Sequence, residues 1–151
     1  MLQKTSHFMR EANLIGGQWV QADSGQTIDV TNPATGLKLG TVPKSGKAET
    51  IRAIEAAQKA FESFRKTTAA ERSKMLRALH DALMDNQQPL AELLTLEQGK
   101  SLTESKGEIA SSAAYILWFA EEARRVYGDV VPSPWADRRI LVTKEPVGVI
   151  A

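Results

Sequence analysis

The sequence contains no cysteine. That single absence excludes disulfides, thiolate metal sites and a cysteine nucleophile together. The two histidines, His7 and His80, have no partner at metal or triad spacing, so an imidazole cluster is excluded too; His80, between Leu79 and Asp81, reads as a solvated helical residue. No apolar run is long enough for a membrane-spanning helix, and the first thirteen residues lack the apolar centre of a secretory signal. An excess of one charge is also missing. Nineteen basic against eighteen acidic residues leave a net +1, so no global field argues for nucleic acid or an anionic membrane as partner. Repeats and low-complexity tracts are absent. The chain therefore reads as cytoplasmic, and its 151 residues with 42% hydrophobic content suit one ordinary domain with a core.

What is present is organised around the stretch from Ser101 to Gly128, which predicts one long helix over about 102–127. Ser101 and Glu104 have capping-box spacing, and Gly128 reads as the stop. Leu102, Ile109, Ala113, Ile116 and Ala120 fall at helical spacings, Glu121 precedes Arg125 by one turn, and such a helix is roughly 39 Å long. Ile116, Leu117, Trp118 and Phe119 are consecutive, so apolar groups point in nearly every direction there. Burial on more than one side is expected.

Before that helix the pattern changes from period two to period 3.6. Residues 1–13 are polar and unpatterned, an arm or a short helix. LIGGQWV places Gly16 and Gly17 as a tight turn between short strands, and TIDVTNPATG with LKLGTVP predicts two more antiparallel strands at an edge. Ile51, Ile54, Ala57, Phe61 and Phe64 then share a face, predicting an amphipathic helix packed through them. Thr68 and Glu71 form a second capping box for a helix to about Asn86 with Met75, Leu76, Leu79 and Leu83 along it. A third helix starts near Pro89, carries Leu90, Leu93, Leu94 and Leu96 inside, and stops at Gly99. Short links favour antiparallel packing of these helices around the long one. Beyond Gly128, DVVPSPWADRR reads as a traversing loop, RRILVTKEP as an exposed strand, and PVGVIA as a strand buried on both faces whose partners lie outside this sequence, as in a chain cut in mid-domain.

Motifs with chemistry are few. Gly99, Lys100 and Ser101 imitate the end of a phosphate-binding loop, but the glycine required five residues earlier is Leu94 and a helix precedes it, so Gly99 reads as a helix stop. Glu71 and Glu104 have capping duties, and Glu97 and Glu108 show no pocket in the sequence. Read by residues alone, this is a mixed helical and strand domain with no autonomous catalytic site.

Five stretches, LIGGQWV, VTNPATG, LLTLEQGKSL, AAYILWFAEEARRVYGD and TKEPVGVIA, resemble the N-terminal part of the NAD(P)-dependent aldehyde dehydrogenase family, nearest its NADP-linked succinate-semialdehyde branch, from Leu14 to Ala151. The resemblance implies an α/β fold: short edge strands, a four-helix layer around one long helix, a bridging-sheet strand and the first strand of a truncated Rossmann-like sheet. It divides the chain into 1–128, strands and helical layer of the cofactor domain; 129–145, loop and strand of the oligomerisation sheet, with Arg138 and Arg139 beginning that strand; and 146–151, the first core strand. It implies oxidation of succinate semialdehyde, or a related semialdehyde, to the acid with NADP or NAD. The family's chemistry needs a cysteine thiolate, and its cofactor motif follows the strand matching VGVIA, so the chain alone is expected to be inactive and to bind neither cofactor. The residues carried over are peripheral: Glu97 with the backbone of Val30 and Thr31 at a monovalent-cation position, and Glu108 and Ser111 near the mouth of the substrate tunnel. The implied partners are the remainder of the dehydrogenase fold, or self-association, and a homo-oligomer; a non-catalytic helical scaffold or interaction module is the competing class.

Overall fold

The computed structural model describes residues 8–150. Expectations for His7, the first seven residues and Ala151 lie outside them. Residues 8–12 form a turn and bends with no helix, and two hairpins follow. β1 (Asn13–Ile15) pairs with β2 (Gln18–Val20) through a two-residue turn in which Gly16 and Gly17 both take positive φ, 60° and 80°, the twist that matches flanking strands. β3 (Thr27–Thr31) pairs antiparallel with β4 (Lys38–Pro43), with the register shifting between Val30 and Thr31. The turn between them is shaped by Asn32, whose Oδ1 accepts the Ala34 N–H at 2.9 Å.

Helix α1 (Lys47–Phe64) starts at Gly46, whose N–H donates to Glu49 Oε2 at 2.9 Å. The same carboxylate accepts the Asp23 N–H at 2.7 Å, and Arg52 forks onto Asp23 with two bonds of 2.7 Å. These ties turn α1 toward the β1–β2 hairpin. Ala53 and Ala56 are half-buried, whereas Ile51, Ile54 and Phe64 stay 43%, 51% and 48% exposed. The expected packing through the isoleucines and Phe64 is thus corrected, while Phe61 is half-buried. Glu49 and Arg52 fix which face turns inward, and that face carries alanines.

Helices α2 (Ala69–Asp85), α3 (Gln87–Gln98) and α4 (Leu102–Glu122) pack as one unit, with α4 against both others. The capping boxes at Thr68 and Ser101 are present, and Gly99 stops α3 in the left-handed conformation, φ 78°. At the centre Ser73, Ala91, Ser105, Ala113 and Ala120 are fully covered, and none is large. Small residues let helix backbones approach closely, and polar side chains add cross-links. Thr95 Oγ1 meets Ser105 Oγ at 2.8 Å, Gln87 Nε2 donates to the Lys106 carbonyl at 3.1 Å, and Arg77 pairs with Glu121 at 3.1 Å. Met75 and Leu79, on α2, remain about half exposed, and the four leucines of α3 are half-buried.

Four expectations near the end of the chain change. The long helix stops at Glu122 and tightens into a 3-10 turn, Ala123–Arg125, where Arg125 pairs with Glu122 rather than Glu121. Gly128 is not its cap: it has no positive φ, and a Cβ there would collide with the Val142 carbonyl. The glycine admits close approach of the two arms of a third hairpin, β5 (Asp129–Val131) with β6 (Ile140–Val142). Asp129–Val131, expected as loop, is therefore a strand. PVGVIA, expected as a buried strand, is not one in the described residues; Val147 and Ile150 are 91% and 82% exposed, since no neighbouring strand offers it a ladder.

Candidate functional site

The exposed face of α4 carries Glu108 and Ser111, the two residues expected from the resemblance near a tunnel mouth. Glu108, Ser111, Tyr115 and Trp118 follow one another at three- and four-residue steps, opposite the face bearing Ser105, Ala113 and Ala120. All four are exposed, Tyr115 by 68% and Trp118 by 65%. Glu108 is ion-paired with Lys100 from the α3–α4 link. Ser111 lines a shallow depression with Ser112, Tyr115 and Ile116, and Phe119 meets Tyr115 edge-on with ring centres 4.9 Å apart. Sequence reasoning named Glu108 and Ser111 and missed Tyr115 and Trp118 beside them, although their spacing from Ser111 was visible.

The other carried-over group lies at the far end of α3. A Cβ on Gly99 would stand 2.9 Å from Pro33 Cγ, so the end of α3 abuts the turn that follows Thr31. Exposed Glu97, half-buried Val30 and exposed Thr31 are thus on neighbouring segments, and the bulge at Val30 and Thr31 disturbs the ladder there. The donor set is one carboxylate with backbone carbonyls, which suits a hard, loosely held cation. No group of three or more His, Cys, Asp or Glu side chains able to hold a metal occurs among the described residues.

A dinucleotide does not fit the elements present. Every strand pair among the described residues is antiparallel, whereas dinucleotide sites are built at the carboxyl ends of parallel strands with a glycine-rich turn into a helix. His80, expected to be solvated, is half-buried, with Nδ1 2.9 Å from Asp81 Oδ1. A cleft of about 520 Å³ was invisible in the sequence because distant segments build it: Phe61, Phe64 and Arg65 at the end of α1, Arg72 on α2, Val126, and Lys144–Gly148 with Ile150. In it Arg65 lies 3.9 Å from Glu145 and over the Phe61 ring. Arg138, one of the two arginines expected at a subunit-bridging strand, precedes β6 and stacks over Trp135 at 4.8 Å.

Among the described residues, carboxyls lowered by hydrogen bonds sit at helix starts and hairpin ties. Hydrogen bonds from the Thr68 N–H and hydroxyl hold the Glu71 carboxyl below the usual carboxylate range; the Ser101 hydroxyl and N–H do the same for Glu104. The Asp23 and Gly46 N–H groups lower Glu49, which is buried. These are capping and fastening duties, with no nucleophile or general base beside them. No helix among the described residues is long and apolar enough to cross a membrane.

Comparison with known proteins gives this architecture a context. A sequence profile described as the Aldehyde dehydrogenase family matches residues 19–151. Glutarate-semialdehyde dehydrogenase of Pseudomonas putida is 54% identical over 151 residues, covering 100% of this chain and 32% of the relative. The NADP(+) succinate-semialdehyde dehydrogenase of Escherichia coli is 51% identical over 146 residues, 97% of this chain and 30% of the relative. The crystal structure of succinate-semialdehyde dehydrogenase from Burkholderia pseudomallei superposes with a TM-score of 0.92 at 54% identity, covering 94% of this chain and 30% of that one. The chain thus spans about a third of the relatives it matches, and its mixed α/β fold of four helices and short strands corresponds to their N-terminal part.

Proposed function

The chain belongs to the aldehyde dehydrogenase family, and from that premise we propose that it is the N-terminal portion of a dehydrogenase that oxidises succinate semialdehyde, or a related semialdehyde such as glutarate semialdehyde, to the acid with NADP or NAD. The observation that carries this reading is identity above 50%, over essentially the whole chain, to two enzymes named for dicarboxylic semialdehydes. The reacting groups are assigned to sequence outside these residues, because thiolate chemistry needs a cysteine and none of the 151 residues is one.

In this reading residues 1–128 are the strands and helical layer of the cofactor domain, 129–145 the loop and strand of the bridging sheet through which copies assemble into a homo-oligomer, and 146–151 the segment that becomes the first core strand once neighbouring strands pair with it. The β5–β6 hairpin supports the second of these boundaries. Glu108 and Ser111 stand at the mouth of the substrate tunnel and shape access; Glu97 with the Val30 and Thr31 backbone is the monovalent-cation position. The placement is cytoplasmic.

The test is complementation. The purified chain, assayed with succinate and glutarate semialdehydes and either nucleotide, is expected to show no turnover. Co-expressed with the remaining two thirds of the Pseudomonas putida enzyme, it is expected to form a complex with activity that a cysteine alkylator abolishes. Turnover by the chain alone would overturn the assignment of chemistry to the absent part, and a stable inactive complex would favour the scaffold reading.

A further inference from the structure

Long-range ties in the N-terminal half converge on carboxylates, whereas those of the three-helix unit are mainly neutral. Buried Glu49 uses both oxygens: Oε1 accepts the Asp23 N–H at 2.7 Å from the β2–β3 link, and Oε2 accepts the Gly46 N–H at 2.9 Å. Asp23 also uses both, each taking one nitrogen of the Arg52 fork at 2.7 Å. Glu11 Oε1 accepts the N–H and the hydroxyl of Thr41 on β4, at 2.7 and 2.9 Å, and a Cβ on Gly40 would lie 3.3 Å from that oxygen and 3.0 Å from Met9 Cε. The Glu11 carbonyl accepts Gln21 Nε2 at 2.7 Å, so residues 21 and 23 tie the N-terminal segment and α1 to the same link. Every one of these ties joins two residues of this chain. In the three-helix unit the Thr95–Ser105 bond and the bond from Gln87 to the Lys106 carbonyl contain no titrating group, and the Arg77–Glu121 pair is exposed and contributes little.

We propose that the two hairpins and the start of α1 form one body fastened by Glu11, Asp23 and Glu49, and that protonation of these carboxylates releases it while α2, α3 and α4 stay packed. An ionised carboxylate accepts at both oxygens, but a protonated one carries an O–H donor on one of them. At Glu49 that donor would face an N–H whichever oxygen took the proton, and at Asp23 it would face an Arg52 nitrogen. Of the two Glu49 bonds, the one to Gly46 spans three residues and the one to Asp23 spans 26, so losing the second frees more chain. The charged groups facing these carboxylates are Arg52 beside Asp23 and Glu49, Asp23 beside Glu49, and Lys38, itself paired with Asp29, beside Glu11. Asn13 and Ser45, bonded to each other at 2.7 Å, adjoin Glu49 without charge. All three carboxyls are held below their ordinary values, Glu11 chiefly by the Thr41 hydroxyl, Asp23 by the Arg52 fork and Glu49 by the Asp23 N–H. Their fastening is complete above the unfolded values, about 3.9 for Asp and about 4.3 for Glu, and is lost as pH falls through the lowered folded ones. Acid also frees Glu71 and Glu104, but those cap bonds span three residues and leave the centre at Ala91 and Ala113 untouched.

Amide hydrogen exchange of the full chain, expressed as protection relative to an unstructured amide, tests this. The Asp23 and Thr41 amides donate directly to the carboxylates, and they are expected to lose protection together, at least tenfold, between about pH 4.5 and about pH 3. Over that range the amides of Ala91 and Ala113 are expected to keep theirs. At neutral pH, Glu49→Gln is expected to lower protection at Asp23 at least tenfold and at Thr41 several-fold, and Glu11→Gln to do the same with the order reversed; neither is expected to move Ala91 or Ala113. Loss of protection at all four amides in one transition, or its retention at Asp23 and Thr41 down to about pH 3, would overturn the release. Variants that each loosen only their own amide would overturn the single body. If Glu49→Gln loses the β3–β4 ladder, Glu11→Gln decides alone.

Discussion

Helix α4 has two faces that follow opposite rules. On one, Ser105, Ala113 and Ala120 are fully covered although they are among the smallest side chains in the helix; on the other, Tyr115 and Trp118 stay about two-thirds exposed although they are among the largest. Phe119, at the border, is 45% exposed. A helix–helix contact selects for close approach, which small residues permit, and the cross-links of Ser105 with Thr95 and Glu121 with Arg77 then fix its register. A broad apolar face selects for area, and a patch of that kind on a small protein marks a surface that another structure covers. Apolar character in a helix therefore says that a face is used, while side-chain size says what sort of neighbour it meets.

The largest expected effect comes from exchanging the rules. Ala113→Phe places a ring where helices touch and is expected to cost about 3 kcal/mol or more, through overpacking of the three-helix unit. Trp118→Ala on the open face is expected to stay within about 0.5 kcal/mol, as for a surface change, while lowering binding of a hydrophobic dye and self-association. Chemical denaturation with sedimentation of both variants checks this. Equal destabilisation would mean that the open face is already covered, and the contrast between the faces would collapse.

A smaller effect is expected where the helices begin. Thr68→Ala and Ser101→Ala each remove the hydroxyl that accepts the N–H of the third helical residue, and each is expected to cost about 1 kcal/mol in the denaturation midpoint. Asn86 makes no side-chain cap bond at the start of α3, its Nδ2 donating instead to the Ala82 carbonyl at 2.8 Å, so Asn86→Ala removes only that exposed bond and is expected to cost less than either. No loss from Thr68→Ala or Ser101→Ala would show that the starts of α2 and α4 are held by packing instead.

The same starts carry a pH signature. Glu71 and Glu104 have folded-state carboxyls held below their ordinary value, so their contribution is complete above about pH 5, beyond the unfolded value near 4.3, and is lost as pH falls through the lowered folded values. Helicity by circular dichroism is expected to be flat from neutrality to about pH 5 and to decline in acid. Glu71→Gln with Glu104→Gln is expected to shrink that acid decline. An undiminished decline would assign it to other carboxylates, of which Glu49, lowered chiefly by the Asp23 N–H, is the next in line.

What could be read in advance divides along the same line as the two faces. Local signals survived: Gly16 and Gly17 in their turn, Thr68 and Ser101 as caps, Gly99 as a stop, because each depends on a few neighbouring residues. Signals whose meaning depends on distant partners were misread. Gly128 resembled a helix stop but makes room for Val142, fourteen residues on, and the isoleucines of α1 face away from the hairpin that Glu49 and Arg52 select. Of the candidate sites, the resemblance named Glu108 and Ser111, which prove to share an exposed face of α4, but the close approach of Gly40 to Met9 is not visible in local spacing.

The smallest expected effect separates two serines on the covered face of the unit. Ser73 and Ser105 are equally inaccessible, yet Ser105 Oγ shares a hydrogen bond with Thr95, whereas no hydrogen-bond partner for Ser73 Oγ is found among the described residues. Removing one partner of a buried bond leaves the other unsatisfied, while removing an unbonded hydroxyl relieves a desolvation cost. Ser105→Ala is therefore expected to cost about 1 kcal/mol, and Ser73→Ala to be neutral or stabilising by up to about 1 kcal/mol. The two changes remove the same single oxygen, so volume cannot explain a difference. Urea denaturation of both, with unchanged slopes, is the measurement. If Ser73→Ala costs as much as Ser105→Ala, its hydroxyl is bonded in solution, and the unit holds a further polar cross-link beside those of Ser105, Gln87 and Arg77.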